Sequence, residues 1–397
     1  MVWEALTLGL GYNAALVTVG AALLGVASGV TGAFLFLRKR ALLSDAISHA
    51  TLPGVAVAFL VMVGLGFEGR WLPGLLLGAA GSAAVGLWCV ARLSRTRLGE
   101  DAAIGAVLSV FFGAGVVLMT IIQNVESGQQ AGLEGFLLGS TAGMLLSDAL
   151  VIAGGGALAV LAVVILYRPM TLVTFDPGFA RTSGIDVGRI DAAMMGLVMG
   201  VTVIGLKVVG LILIVALLII PPVTARFWTD RTGRVVGLSG AAGGVAGYMG
   251  AALSATAPQL PTGPIIVLVA FALFTLSLGV APRRGVVAAL RDHRRFQRRV
   301  HLRQGLLALA QGQPIYEKLT LRLMRAEGLI HADGVATEAG RSRAQKALRD
   351  ERRWDIVRAE ERHAAAAQMY DGLRDLETVL TPDQIAEIDR RLMPGLV

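Results

Sequence analysis

Over its first 281 residues the chain reads as a succession of apolar runs separated by short polar breaks. A hydrocarbon core of ~30 Å needs ~20 predominantly apolar residues in a helix. Runs of that length predict spans at 14–36, 46–66, 71–92, 102–122, 145–167, 190–206, 208–226, 234–254 and 262–281. The sixth and seventh nearly touch at Lys207 and Val208, so the pattern allows eight spans or nine. Gly132 to Ser140 is apolar but too short to cross, and reads equally as a re-entrant element or as an external loop packing down. Glycines recur inside the runs, for example Gly20, Gly25, Gly29 and Gly32 in the first, where they let membrane helices approach closely. Beyond residue 281 charge becomes dense. The predicted fold is therefore all-α: a polytopic transmembrane bundle over 1–285, a basic juxtamembrane helix over 286–303 and a small helical domain over 304–397.

Charge adds an orientation. Arg38-Lys39-Arg40, Arg92 to Arg97, Arg181 to Arg189, Arg226 to Arg234 and Arg283-Arg284 fall on alternate connections, and three of the others carry only Arg70 between them. Basic connections stay cytoplasmic, which puts the N-terminus outside and the C-terminus in the cytoplasm and fits an odd number of spans. The net charge of +8 follows from those edges and from the tail, so nucleic acid is discounted as its cause. The arginines from Arg291 to Arg303 read as a helix near anionic headgroups. Cys89, the single cysteine, lies in an apolar run and reads as a small buried hydrophobe. The first run is too long, and lacks the basic start, for a cleavable signal. The chain contains no G-x-x-x-x-G-K-[ST], no H-E-x-x-H and no G-x-S-x-G, which argues against an ATP motor, a membrane zinc protease and a nucleophile-elbow hydrolase.

The candidate chemistry lies in Leu42-Leu43-Ser44-Asp45-Ala46-Ile47-Ser48-His49-Ala50. Asp45 and His49 are four residues apart and share one helix face. In lipid, an Asp at a helix centre costs roughly 2.5–3.5 kcal/mol on insertion scales, so such residues face a cavity or a partner. A carboxylate oxygen with an imidazole nitrogen suits Mn²⁺, Fe²⁺ or Zn²⁺. Two ligands do not complete a shell, leaving water or another subunit to add the rest. The alternative is a structural hydrogen bond between them. Pro53-Gly54 suggests a bend, or simply close packing. Asp148 and Asp191, near the starts of apolar runs, read as structural; Glu100 and Asp101 read as capping residues, and Lys207 as a snorkelling one.

Leu42 to Val55 resembles the signature of the manganese/zinc/iron permease family, the membrane subunits of metal-importing ABC transporters. Other segments agree in order: Glu100 to Gly105, Phe136 to Ser140, Phe175-Asp176-Pro177 with Phe179, Ala180 and Gly184, Val208 to Pro222, and Leu260 to Pro264. The resemblance covers nearly all of residues 10–285. It implies a transport subunit rather than an enzyme, seated in a bacterial inner membrane. A separate cytoplasmic ATPase, an extracytoplasmic metal-binding protein and a second permease, identical or paralogous, would accompany it. No cofactor would be resident, Mn²⁺, Zn²⁺ or Fe²⁺ being cargo. Asp45 and His49 match the family's metal-coordinating pair, and Phe175, Asp176, Pro177, Phe179, Ala180 and Gly184 match its ATPase-contacting segment.

The tail resembles iron-dependent repressors. An amphipathic helix over Leu319 to Ile330 precedes a short wing at His331 to Ala336 and a long helix from Thr337 through Trp354, so a winged-helix-like cytoplasmic domain is expected. It departs from that pattern where ligands are needed. Glu351 and Asp355 stand at positions of metal-binding His and Glu, and Arg374, Glu377 and Thr378 at those of Cys, Glu and His. The tail therefore reads as a remnant that does not sense metal. Two rival functions remain: a membrane-anchored metal-responsive regulator acting through the tail, and a proton-coupled carrier working alone.

Overall fold

The computed structural model describes residues 2–9, 11–67, 71–123, 144–257, 260–282, 284–360 and 363–392. Gly132 to Ser140 and Arg70, singled out above, lie outside them, as do the side chains of Lys207 and Val208. The chain divides into two compact units, Met1–Val287 and Ala288–Val397.

The first unit is all helix among the described residues. A short α1 (Val2–Leu6) precedes α2 (Tyr12–Leu37), α3 (Leu42–Gly64), α4 (Leu72–Leu93) and α5 (Glu100–Gln123). Then come α6 (Leu146–Ile165), the short α7 (Tyr167–Phe175) and α8 (Pro177–Thr182), the long α9 (Val187–Trp228), α10 (Thr232–Ser254) and α11 (Thr262–Val280). Local chemistry sets several of these ends. Asp186 caps α9 by accepting from the Arg189 amide at 3.1 Å, and the Asp148 carboxylate accepts from the Leu145 amide at 3.1 Å at the start of α6. Asp148 thus has the structural role expected of it.

Nine helical segments among the described residues are long and apolar enough to cross a membrane, two of them inside α9: Val187–Leu206 and Val209–Trp228. The near-contact of spans six and seven is resolved at Gly210, whose φ of 75° and ψ of 171° leave the helical region. Residues nine apart in an unbroken helix are separated by ~13.5 Å along its axis. A Cβ on Gly205 would nevertheless sit 2.7 Å from Cδ1 of Ile214. The chain therefore folds back on itself at Gly210, a left-handed conformation that glycine adopts without steric cost. Two spans need no loop between them, and the candidate spans among the described residues number nine.

The best-buried spans are α2, α3, the second half of α9 and α10. The α2–α10 contact is a glycine seam: a Cβ on Gly25 would stand 2.1 Å from the Gly243 carbonyl, and one on Gly29 2.2 Å from that of Ser239. Without lipid-driven hydrophobic association, backbone approach of this kind is what holds membrane helices together. Gly54 acts in the same way, with the Gly78 carbonyl of α4 at 2.0 Å from its would-be Cβ. Pro53 lies against Gly115 of α5, so Pro53-Gly54 serves close packing on both sides. Cys89 is only half-buried, packed against the core on α4.

The second unit begins within α12 (Val286–Ala310), which runs two turns beyond the predicted basic segment. Next are α13 (Lys318–Ala326), α14 (Glu338–Ala359), α15 (Ala364–Ala367), a 3₁₀ turn at Leu376–Thr378 and α16 (Pro382–Leu392). At the place of the expected wing the described residues form one antiparallel bridge, Ile330 with Ala336, around Gly334 at φ 87°. Trp354 is fully buried with Val357, Leu376 and Ile388, and Arg353 grips Asp389 through two hydrogen bonds of 2.6 Å. These contacts join α14 to α16.

Candidate functional site

Asp45 lies in the first turn of α3 and His49 one turn later, because the helix starts at Leu42, four residues before the apolar run itself. His49 Nε2 lies 3.3 Å from Asp45 Oδ1. The His49 ring meets Phe112 of α5 edge-on, with centroids 4.8 Å apart at 82°. Its Nδ1 is buried and has no hydrogen-bond partner. Pro53 carries no N–H, so the His49 carbonyl cannot receive the usual bond from residue 53.

Two donors each ~2.1 Å from one cation lie ~3.0 Å apart at a right angle and ~3.4 Å apart at the tetrahedral angle. The observed 3.3 Å falls within that bite. Asp45 and His49 keep 37% and 18% of their side-chain surface exposed, although they lie on an apolar helix. Leu42, three residues before Asp45, is exposed as well, whereas residues 50–56 after His49 are buried. The opening at the start of α3 is thus confined to the turn that holds the pair. Among the described residues no three His, Cys, Asp or Glu side chains cluster as a metal site, so among them the pair stands as two ligands.

The second predicted segment surrounds α8. Asp176 caps that helix by accepting from the Phe179 amide at 2.8 Å, Pro177 opens it, and Gly184 at φ 80° follows its end. Ala180 is fully buried, whereas Phe175 and Phe179 keep 61% and 57% of their surface exposed. Two phenylalanines thus stand out on either side of Asp176 and Pro177. They lie apart from Asp45 and His49 in the fold's element order, on the connection between α6 and α9.

Sequence reasoning missed an ion-pair cluster. Asp191 lies in the second turn of α9, beyond the cap that Asp186 provides, and Arg38 Nη2 donates to its Oδ2 at 2.9 Å. Arg40 Nη1 approaches the same oxygen at 3.5 Å, and Arg40 Nε pairs with Glu100 at 2.7 Å. Arg38 Nη1 also donates to the Val173 carbonyl at 2.8 Å. Glu100, expected as a cap, is an ion-pair partner of Arg40. No local signal announces this cluster, since Arg38 and Asp191 are 153 residues apart.

In the tail, Glu351 is already engaged. It accepts from the Tyr370 hydroxyl and from Arg303 Nη2, the latter at 2.7 Å. Burial alone would raise Glu351, but those two partners outweigh it and hold the carboxyl below its ordinary value. Burial first, then the Glu351 carboxylate, pushes Tyr370 above the usual phenol range. Asp355 is exposed and pairs with Arg358.

Fold and site together define a multi-pass helical membrane protein with an acid–imidazole pair on a buried span. Residues 12–281 match the ABC 3 transport family, and the chain belongs to it. It is accordingly a transport subunit and not an enzyme. It is 42% identical over 313 residues to the manganese transport system membrane protein MntC of Bacillus subtilis, covering 78% of this chain and 69% of that one. It is 38% identical over 280 residues to the zinc transport system membrane protein TroC of Treponema pallidum, covering 70% and 92%. The solved structure of PsaBC from Streptococcus pneumoniae in complex with Fab superposes with a TM-score of 0.62 at 28% identity, covering 72% of this chain and 98% of that one.

Proposed function

We propose that this chain is the permease of an ATP-driven importer of divalent transition-metal ions, with manganese favoured over zinc and iron. The observation that carries the reading is the Asp45–His49 pair: two donors 3.3 Å apart on one face of α3, both partly exposed. A second permease copy or paralogue seated on that face would contribute further ligands and close the passage. Two protein ligands from each half hold an ion loosely enough for it to leave, which conduction requires. The manganese and zinc systems named among its relatives support a divalent cargo, and the repressor-like tail favours manganese. No cofactor is resident in this reading, because the metal is what is carried.

The energy comes from a cytoplasmic ABC ATPase. The exposed Phe175 and Phe179, held by the Asp176 cap and the buried Ala180, suit a docking surface for it. An extracytoplasmic binding protein delivers the ion on the other side. The positive-inside pattern supports an inner-membrane protein with its N-terminus outside and its C-terminus in the cytoplasm. The tail is a repressor-like domain that has ceased to sense metal: Arg303 and Tyr370 hold the Glu351 carboxylate that a cation would need.

The test is uptake of ⁵⁴Mn²⁺ by proteoliposomes containing the complex with its ATPase and binding protein. Replacing both Asp45 and His49 by Ala should abolish ATP-dependent uptake while the complex still assembles. Wild-type rates in that double variant would refute the assigned roles.

A further inference from the structure

The ion-pair cluster around Asp191 joins the elements that matter most to such a transporter. Arg38 is the C-cap of α2, Arg40 leads into α3, Glu100 opens α5, Asp191 lies on α9, and the Val173 carbonyl belongs to α7. Asp45 follows Arg40 by five residues, and Phe175 follows Val173 by two. The cluster therefore joins the link before the metal helix to α7, which leads into α8, through hydrogen bonds and ion pairs.

Its geometry is lopsided. Both guanidinium groups approach Oδ2 of Asp191, while Oδ1 is buried and has no hydrogen-bond partner. A buried carboxylate oxygen without a donor is costly, and turning either arginine into a two-pronged grip would satisfy it. Between the arginines, Lys39 sits at φ 59°, a left-handed conformation unfavourable for a side-chain-bearing residue. A strained turn beside a carboxylate with one unsatisfied oxygen is suited to two states.

The geometry points to Asp191 as the positioning residue that couples movement of α7 and α8 to the start of α3, and so to the opening of the Asp45–His49 pair. This rests on the importer reading above. In it, a displacement of α7 by the ATPase pulls Arg38 through the Val173 carbonyl. Asp191 then exchanges its grip between Arg38 and Arg40, and the link carrying Arg40 moves the first turn of α3.

The experiment measures ATP hydrolysis and ⁵⁴Mn²⁺ uptake together in proteoliposomes holding the full complex. Asp191→Asn keeps the shape and removes the charge. Expected are hydrolysis within about twofold of wild type and a fall of about tenfold or more in ions carried per ATP, the scale of a typical coupling between sites. Asp191→Glu should recover much of that ratio, which a purely structural role would not separate from assembly. Arg40→Gln, which leaves both Arg38 contacts in place, should uncouple in the same direction and serves if Asp191→Asn fails to assemble. An unchanged ratio in either assembled variant overturns the inference, as does a parallel loss of hydrolysis and uptake. Failure of both variants to assemble makes the cluster a structural clamp and overturns it too. Absence of uptake by the wild-type complex overturns the importer reading itself, and this one with it.

Discussion

Lys39 ends α2 in a position where glycine is usual. The Arg40 amide bonds to the Leu35 carbonyl at 3.0 Å and the Lys39 amide to that of Phe36 at 2.9 Å, the two bonds of a Schellman cap. The left-handed turn costs an L-residue about 1–2 kcal/mol, and the chain tolerates this while keeping three consecutive basic residues. Replacing Lys39 by Gly should therefore leave the thermal midpoint of the purified protein unchanged or higher, whereas Lys39→Val, branched at Cβ, should lower it. A lower midpoint in Lys39→Gly would mean that the lysine side chain contributes more than the strain costs. The same scale governs Asp45 and His49. Their spacing was legible because a helix repeats every 3.6 residues, but their 3.3 Å separation and the unpaired Nδ1 depend on rotamers and on Phe112 from another helix.

Between elements, the α2–α10 seam shows how sequence composition becomes packing. Glycines in the first span suggested close approach to some neighbour; only the assembled bundle shows that Gly25 and Gly29 face the carbonyls of Gly243 and Ser239. Gly29→Ala would place a methyl 2.2 Å from a backbone oxygen and force the two helices apart. The expected loss is roughly 1–3 kcal/mol of stability, seen as a lower thermal midpoint in detergent. The same substitution at Gly113 of α5, which opens onto free space, should cost nothing measurable. The hairpin at Gly210 belongs to this scale as well. Apolar periodicity announced two spans but not the reversal, because a single backbone torsion leaves no trace in hydrophobicity.

At the scale of the whole molecule, the membrane unit and the tail have separate cores, the tail's lying around Trp354 and around Met324. Domains with separate cores tolerate separation. Deleting residues 286–397 should leave ATP-dependent ⁵⁴Mn²⁺ uptake within about twofold of the full chain. Loss of uptake would assign the tail a part in transport, while unchanged uptake with altered expression of metal-responsive genes would favour the regulator reading. The membrane unit's span positions were legible within a few residues, since burying ~20 apolar residues in lipid is a requirement that composition alone satisfies. The acid–imidazole pair was legible for the related reason that charge in such a run is rare. The Arg38–Asp191–Arg40–Glu100 cluster was not: its members are scattered over 153 positions, and each has an ordinary local explanation. By itself, the sequence determined that this chain crosses a membrane many times and carries one acid–imidazole pair within a span, because hydrophobicity and helical spacing are local properties. Tertiary structure alone decided which glycines touch, where spans six and seven turn back, and that one ion-pair cluster links α2, α5, α7 and α9, because those contacts form only when distant helices pack.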